Sequence, residues 1–227
     1  FPAITEQHAF TCLSSAPQQL DDAVLYVAFP WATLIDKVHN RAPDVDAILK
    51  RFDALCAMLP ADRRKVTICQ HIFARRYDRF FQQAGITDVF WSHATDHDVA
   101  QAQDATASPR FHPFPLYPVQ TPEALPEAAV EADTTPRRYL FSFIGARANK
   151  YYLTEARNWI LDLLADDPRG LIRGRDSWHY QRVVYDLQVR KVTQNADSAA
   201  LVDAAAAAEF RDGLVNSTFA LCPSGSG

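Results

Sequence analysis

Two histidines stand where short apolar runs give way to polar residues: His71, at the end of RRKVTICQH, and His93, after TDVFWS. A neutral imidazole at such a junction is suited to take a proton from a hydroxyl near neutral pH. Asp36 and Asp96 are carboxylates that stand behind them for the same work. A strand-end histidine also serves as a structural hydrogen-bonder, and that reading stands beside the catalytic one. A second kind of chemistry is offered by Gly145-Ala146-Arg147, where an apolar run ends in glycine and a guanidinium. A third stretch, Ser224-Gly225-Ser226-Gly227, follows TFALCP. Backbone N–H groups with no Cβ in the way, together with an arginine, are what holds a phosphate group. SGSG matches neither GxxxxGK[ST] nor GxGxxG. HATDHD (93–98) contains metal-ligand residue types, with His93 and His97 four apart. That spacing shares a face only on a helix. The segment follows a strand without a helical pattern, so neither a metal nor a cofactor is expected.

The elements that must position these residues alternate along the chain. AVLYVAF, bounded by Asp21-Asp22 and Pro30, reads as a buried strand. Asp44, Val45, Ile48, Leu49, Phe52, Leu55 and Cys56 follow with helical spacing, with Asp44 placed to cap. RRKVTICQH (63–71) is a second strand, ARRYDRFFQQAGI (74–86) a helix stopped by Gly85, and TDVFWSHA (87–94) a third strand. RFHPFPLYPV (110–119) is Pro-rich and extended. The acidic, Pro-containing stretch 121–136 has no strand pattern and reads as a linker between a domain over 1–120 and another over 137–227. Beyond it RRYLFSFIGA (137–146) is a strand. TEARNWILDLLADD (154–167) is a helix whose face is Ala156, Trp159, Ile160, Leu163 and Leu164, capped by Thr154. RGLIRGRD (169–176) is a short strand, 178–192 gives a mixed signal, and an Ala-rich helix within 196–217 leads into TFALC. Strands alternating with helices at this spacing predict α/β architecture with two Rossmann-like parallel sheets. The second is expected to be incomplete, because the next helix would begin where the sequence ends. Ligands of open α/β sheets bind beyond the carboxyl ends of the strands. The residues to inspect are therefore Phe29 to Thr33, Gln70-His71, Ser92-His93, Gly145 to Arg147 and the SGSG stretch. Trp31, Phe90-Trp91 and Trp178 are core or a stacking surface for a sugar or base, with core expected for Phe90.

Composition narrows the partners. The chain has 227 residues and a net charge of −4, which argues against general nucleic-acid binding. Residues 137–191 nonetheless hold 11 Lys/Arg against 6 acids, an excess that suits a small anionic ligand or a solvated helix surface. No apolar run is long enough to span a bilayer, and the first residues lack the pattern of a signal peptide. Cys56, Cys69 and Cys222 lie in apolar runs, Cys12 does not, and none forms CxxC. Reduced thiols and a cytoplasmic location are expected.

Two stretches resemble one known family. RRYLFSFIGARANKYYLTEARNWI is similar to the opening of the second domain of exostosin-like glycosyltransferases (family 47). In that family a Leu-Phe-x-Phe-x-Gly strand precedes a helix bearing a characteristic arginine. Gly145 and Arg157 hold those places. NSTFALCPSGSG resembles the family's Ser-x-Phe-x-Leu-x-Pro-x-Gly strand and loop, matched by Ser217, Phe219, Leu221, Pro223 and Gly225. The resemblance covers 137–227, and the family's pattern continues with residues that would lie after Gly227. It implies a GT-B architecture of two Rossmann-like domains and metal-independent transfer of a sugar from a nucleotide donor to a glycan acceptor. Gly145, Arg147, Ser224, Gly225, Ser226 and Gly227 would lie on the donor side, with His71 or His93 as base. A bacterial relative acting on capsule or lipopolysaccharide is the expectation, meeting the membrane only through a lipid-linked acceptor. Two rival readings remain. One is a non-catalytic glycan- or nucleotide-binding module on the same scaffold. The other, a sugar-phosphate enzyme such as an epimerase, would need a dinucleotide fingerprint that DDAVLYVAFPWAT lacks.

Overall fold

The computed structural model describes residues 4–16, 23–103, 109–116, 136–148, 154–176, 186 and 204–223. Two compact units emerge, one containing 23–103 and 109–116, the other 136–148, 154–176 and 204–223. Each is a Rossmann-like layer in which an all-parallel sheet alternates with helices. The linker expected over 121–136 lies outside the described residues except for Pro136.

The first unit runs α1 (Ile4–Ser15), β1 (Val24–Tyr26), α2 (Trp31–His39), α3 (Val45–Met58), β2 (Arg64–Cys69), then a 3-10 turn (Ala74–Tyr77) leading into α4 (Asp78–Gln83). It continues with β3 (Asp88–Trp91), α5 (Asp96–Ala102) and β4 (Arg110–Pro113). The strand order is β1-β2-β3-β4, with Tyr26 opposite Val66, Cys69 opposite Trp91 and Trp91 opposite Pro113. The apolar runs form strands because almost every position of β2 is buried, which only a sheet covered on both faces demands. Trp31, Leu34 and Ile35 of α2 join Ile48 and Phe52 of α3, Phe80 and Phe81 of α4, and Cys69, Val89, Trp91 and Phe111 of the sheet in one core. Thr67 is buried among them. Its hydroxyl donates to Val27 O and accepts from Trp31 Nε1, both at 2.7 Å, so the core holds no orphan there.

Local chemistry sets the boundaries. Gly85 adopts φ +65 and ends α4, with Gly85 N–H donating to Gln82 O and Ile86 N–H to Phe81 O, a Schellman arrangement that needs glycine. Asp44 does precede α3, but its carboxylate makes no capping bond and pairs instead with Lys37. α5 starts inside HATDHD through a capping box between Thr95 and Asp98. The stretch read as Pro-rich and extended contains the strand β4. At the amino-terminal ends of the strands, the fully buried Asp88 carboxylate accepts from Arg64 Nε, His112 Nε2 and Thr87 Oγ1, each at 2.8 Å, and from Arg110. These donors hold Asp88 well below the usual carboxylate range despite its burial.

The second unit comprises β5 (Tyr139–Ala146), α6 (Ala156–Leu163), β6 (Gly170–Arg175), α7 (Ala204–Val215) and β7 (Ser217–Ala220). Its order is β6-β5-β7, so the chain leaves β5 to one side and returns on the other. Close approach is bought with glycines: a Cβ on Gly170 would enter the Phe141 ring, and one on Gly213 would meet Ile144 Cδ1 at 2.7 Å. The apolar face expected on α6 is turned. Leu161 is buried, whereas Trp159 and Leu163 are 62% and 78% exposed. The inward positions are set by Arg157 and Leu161, one turn apart, which pack toward Gly145 and Gly174 respectively. No described helix is long and apolar enough to cross a membrane.

Candidate functional site

At the carboxyl edge of the first sheet, β2 delivers His71 and β3 delivers Ser92 and His93. His71 Nε2 donates to Asp36 Oδ1 on α2 at 3.1 Å, and its Nδ1 accepts from Phe73 N–H at 3.0 Å. Both ring nitrogens are therefore engaged in holding the turn after β2. The backbone carbonyl of His71 also accepts from Trp91 Nε1 at 2.8 Å. His93 differs: its Nδ1 is buried and, among the described residues, has no hydrogen-bond partner, and neither has the adjacent Ser92 Oγ. Burial, aided by the neighbouring His71, lowers the His93 pKa and keeps the ring neutral near pH 7. Two buried polar atoms without a hydrogen-bond partner on consecutive residues at a strand end are unusual. His39 completes the group, bonded to Tyr77 Oη at 3.0 Å and packed on Phe73.

Elsewhere in the same unit, a cavity of about 440 Å³ lies between α2 and α3. Its walls are Phe29, Thr33 and Ile48, with the Lys37–Asp44 ion pair and Arg51 supplying charge. Its size falls within the range of small-ligand pockets. Trp31 and Trp91 are core, 1% and 7% exposed. Phe90, expected in the core, is half-buried and stacks on His112 at 5.3 Å. Trp178 lies outside the described residues.

Sequence reasoning missed Glu6. It sits on α1, only 5% exposed, and reaches the same edge. Its Oε1 accepts from Ala32 N–H, in the first turn of α2, and from Gln70 N–H, just past β2, both at 3.1 Å. Gln70 answers by accepting from Thr5 N–H at 2.7 Å. Burial pushes the Glu6 pKa up to about 8, against the lowering effect of these amides and of the Cys69 thiol. No apolar stripe marks α1, and one acid in a polar run carries no signal of burial.

In the second unit the β6-β5-β7 order creates a topological switch point at β5 and β7, the place where ligands enter open α/β sheets. β7 lies directly against β5, with Ser142 opposite Ala220 and Leu221 N–H donating to Ser142 O at 2.9 Å. The end of β5, Gly145-Ala146, with Arg147 beyond it, and Leu221 to Pro223 after β7 therefore leave the sheet by the same edge. Gly145 is tied to Arg157: a Cβ on Gly145 would meet Arg157 Nη1 and Phe143 Cζ, both at 3.0 Å. The guanidinium lies over the Phe143 ring and donates to Ala146 O at 3.3 Å. Arg147 is exposed and paired with Asp162 of α6. Ser224, Gly225, Ser226 and Gly227 lie outside the described residues. Comparison with protein-family models, curated proteins and solved structures finds no match to this chain.

HATDHD does not act as the paired histidines would require. His93 precedes α5 and His97 lies within it, while Asp98 is turned to Thr95 and Arg75. Among the described residues no group of three or more His, Cys, Asp or Glu is placed to hold a metal ion.

Proposed function

We propose that the chain carries the two sugar-handling units of a GT-B glycosyltransferase of the exostosin-like kind, moving a sugar from a nucleotide donor to a glycan acceptor. The observation that carries the reading is the switch point of the second sheet. The two stretches that resemble the family's donor-side motifs lie more than seventy residues apart in sequence, yet they contain adjacent parallel strands that meet at that point. The Gly145–Arg157 contact gives both motif residues a shared purpose, since the arginine occupies the space a side chain at 145 would need.

In this reading the donor's diphosphate meets the backbone amides after β5 and β7, with Arg147 exchanging Asp162 for the phosphate as charge develops on the leaving group. The acceptor belongs to the first unit, where Phe29 offers an apolar face and Lys37–Asp44 offers donors and acceptors to sugar hydroxyls. His93, neutral and with no hydrogen bond to Nδ1, is the candidate to take the acceptor proton in an inverting transfer, since both ring nitrogens of His71 are engaged. The partners are thus a nucleotide sugar and a glycan, in a cytoplasmic setting, with membrane contact only through a lipid-linked acceptor.

The test is calorimetric titration of the chain with UDP, GDP, ADP and CMP. Binding of one nucleoside diphosphate, weakened several-fold by Arg147→Ala, is expected. A folded chain that binds none of the four overturns the reading in favour of a module without a donor site.

A further inference from the structure

Glu6 is held in an unusual way. Its carboxyl is sealed between α1, the first turn of α2 and the end of β2, and among the described residues no cation pairs with it. The titratable groups facing it are Tyr26 from β1 and Cys69 from β2, both of which its negative charge pushes further up. α2 contributes only backbone amides there. Oε1 carries the two 3.1 Å bonds, Oε2 has a longer contact of 3.3 Å to Ala32 N–H, and the Cys69 thiol and Trp31 amide also face the carboxyl. α1 buries just Thr5, Glu6 and Ala9. Its docking therefore rests largely on Glu6 and on the Thr5–Gln70 bond, with little apolar surface to hold it.

We infer that α1 is a pH-sensitive latch over the carboxyl ends of β1 and β2, closed while Glu6 is a neutral acid and released as it ionises. Release uncovers the Ala32 and Gln70 amides and the Cys69 thiol. The inference goes beyond the sugar-transfer reading and does not depend on it. The sign follows from burial. A carboxyl whose pKa is raised on docking favours the docked state fully below its free value of 4.5 and loses that advantage as pH rises through about 8. Over that window the docked-to-undocked ratio falls roughly tenfold per pH unit, one proton being released per opening. Above it the ratio is flat.

Hydrogen–deuterium exchange of the full chain between pH 6 and 9, with rates normalised to the unstructured chain at each pH, tests this. Protection of α1 and of the Ala32 and Gln70 amides should fall roughly tenfold per unit to about pH 8 and then level off, while β3 stays constant. Glu6→Gln, which keeps the shape and cannot ionise, should flatten the profile. A wild-type profile already flat, or an unchanged slope in Glu6→Gln, overturns the latch. Should that variant fail to fold, alkylation of Cys69 in the wild-type chain decides. Its rate relative to the unfolded chain must rise between pH 6 and 8, and a constant ratio overturns the proposal.

Discussion

The two units solve the same problem of a parallel sheet in opposite ways. The first sheet advances strand by strand in one direction, so its strand order never reverses, and part of its carboxyl edge is closed by the protein's own helix through Glu6. The second reverses at β5, and that reversal places a topological switch point between β5 and β7. Their interiors differ as well. The first is filled by large side chains such as Trp31, Phe52 and Phe81, each at most 1% exposed, and anchored at the other edge by Asp88. Among the described residues the second buries Phe143, Ile144, Leu161 and Ala206, and brings its elements together through Gly170 and Gly213. One unit is stabilised by volume and a buried charge, the other by the absence of side chains at points of close approach.

The largest effect should come from removing the charge that anchors the first unit. Asp88→Asn leaves Arg64, Arg110 and His112 around a group that can no longer pair with them, and should cost about 3 kcal/mol, read from denaturant unfolding. The pH signature checks the cause. The folded-state pKa of Asp88 is depressed, so its contribution is present above the unfolded value of roughly 4 and is lost as pH falls below it. Wild-type stability should therefore drop with acid below about pH 4, and the variant should lose that part of the slope. Glu6 has the opposite sign, and the two buried acids of one unit should be separable by titrating stability from either side.

Gly170→Ala is the matching attack on the second unit. Its Cβ would press into the Phe141 ring, its partner in the β5–β6 register, and the ring must move. Overpacking of this kind costs about 1–3 kcal/mol. Exchange of the β5 and β6 amides should quicken while β2 and β3 are unchanged. Equal loosening of both sheets would mean that the units do not divide the stability as their separate cores imply.

What was legible in the sequence follows from how each element is held. β2 and β3 were readable because strands buried on both faces are continuous apolar runs, β5 because of its run LFSFI, whose Phe143 and Ile144 are buried, and Gly85 because only a left-handed residue ends that helix as it does. α1 was not, since it docks through Glu6 and Thr5 and has no apolar periodicity. α6 was read as a helix with the wrong face inward: Trp159 and Leu163 satisfy the pattern, but the requirement that Arg157 reach Gly145 rotates them outward. Thr95 and Asp98 carried a capping signal that the more conspicuous histidines obscured. At the candidate site, the strand-end positions of His71, His93 and Gly145 could be read from pattern. That His71 is fully engaged and His93 is not depends on Phe73 N–H and Asp36, which no spacing rule brings to the ring.

A smaller effect is expected at Gly145 itself. In Gly145→Ala the new methyl meets Arg157 Nη1 and Phe143 Cζ at 3.0 Å, and both are ends of side chains able to shift by tenths of an ångström. Stability should fall by about 1 kcal/mol, whereas nucleotide affinity should fall more than that loss explains, because the displaced guanidinium no longer fixes Ala146 O. Affinity that merely tracks stability would reduce Gly145 to a packing residue and weaken the contrast between a sheet with a switch point and one without.

The smallest structural effect, and the sharpest test of the proposed donor side, belongs to the Arg147–Asp162 pair. Both side chains are more than half exposed, at 57% and 55%, so water screens their attraction. Asp162→Asn should leave the unfolding midpoint where it is. Its consequence should appear only with ligand if, as proposed, the guanidinium takes the donor's diphosphate, for which the carboxylate would then compete. Removing it should tighten binding of the preferred nucleoside diphosphate, Arg147→Ala should weaken it, and the double variant should resemble Arg147→Ala alone, since the carboxylate acts only through the arginine. Additive effects of the two substitutions would show that Asp162 repels the ligand directly, and the guanidinium would then lose its place at the centre of the site.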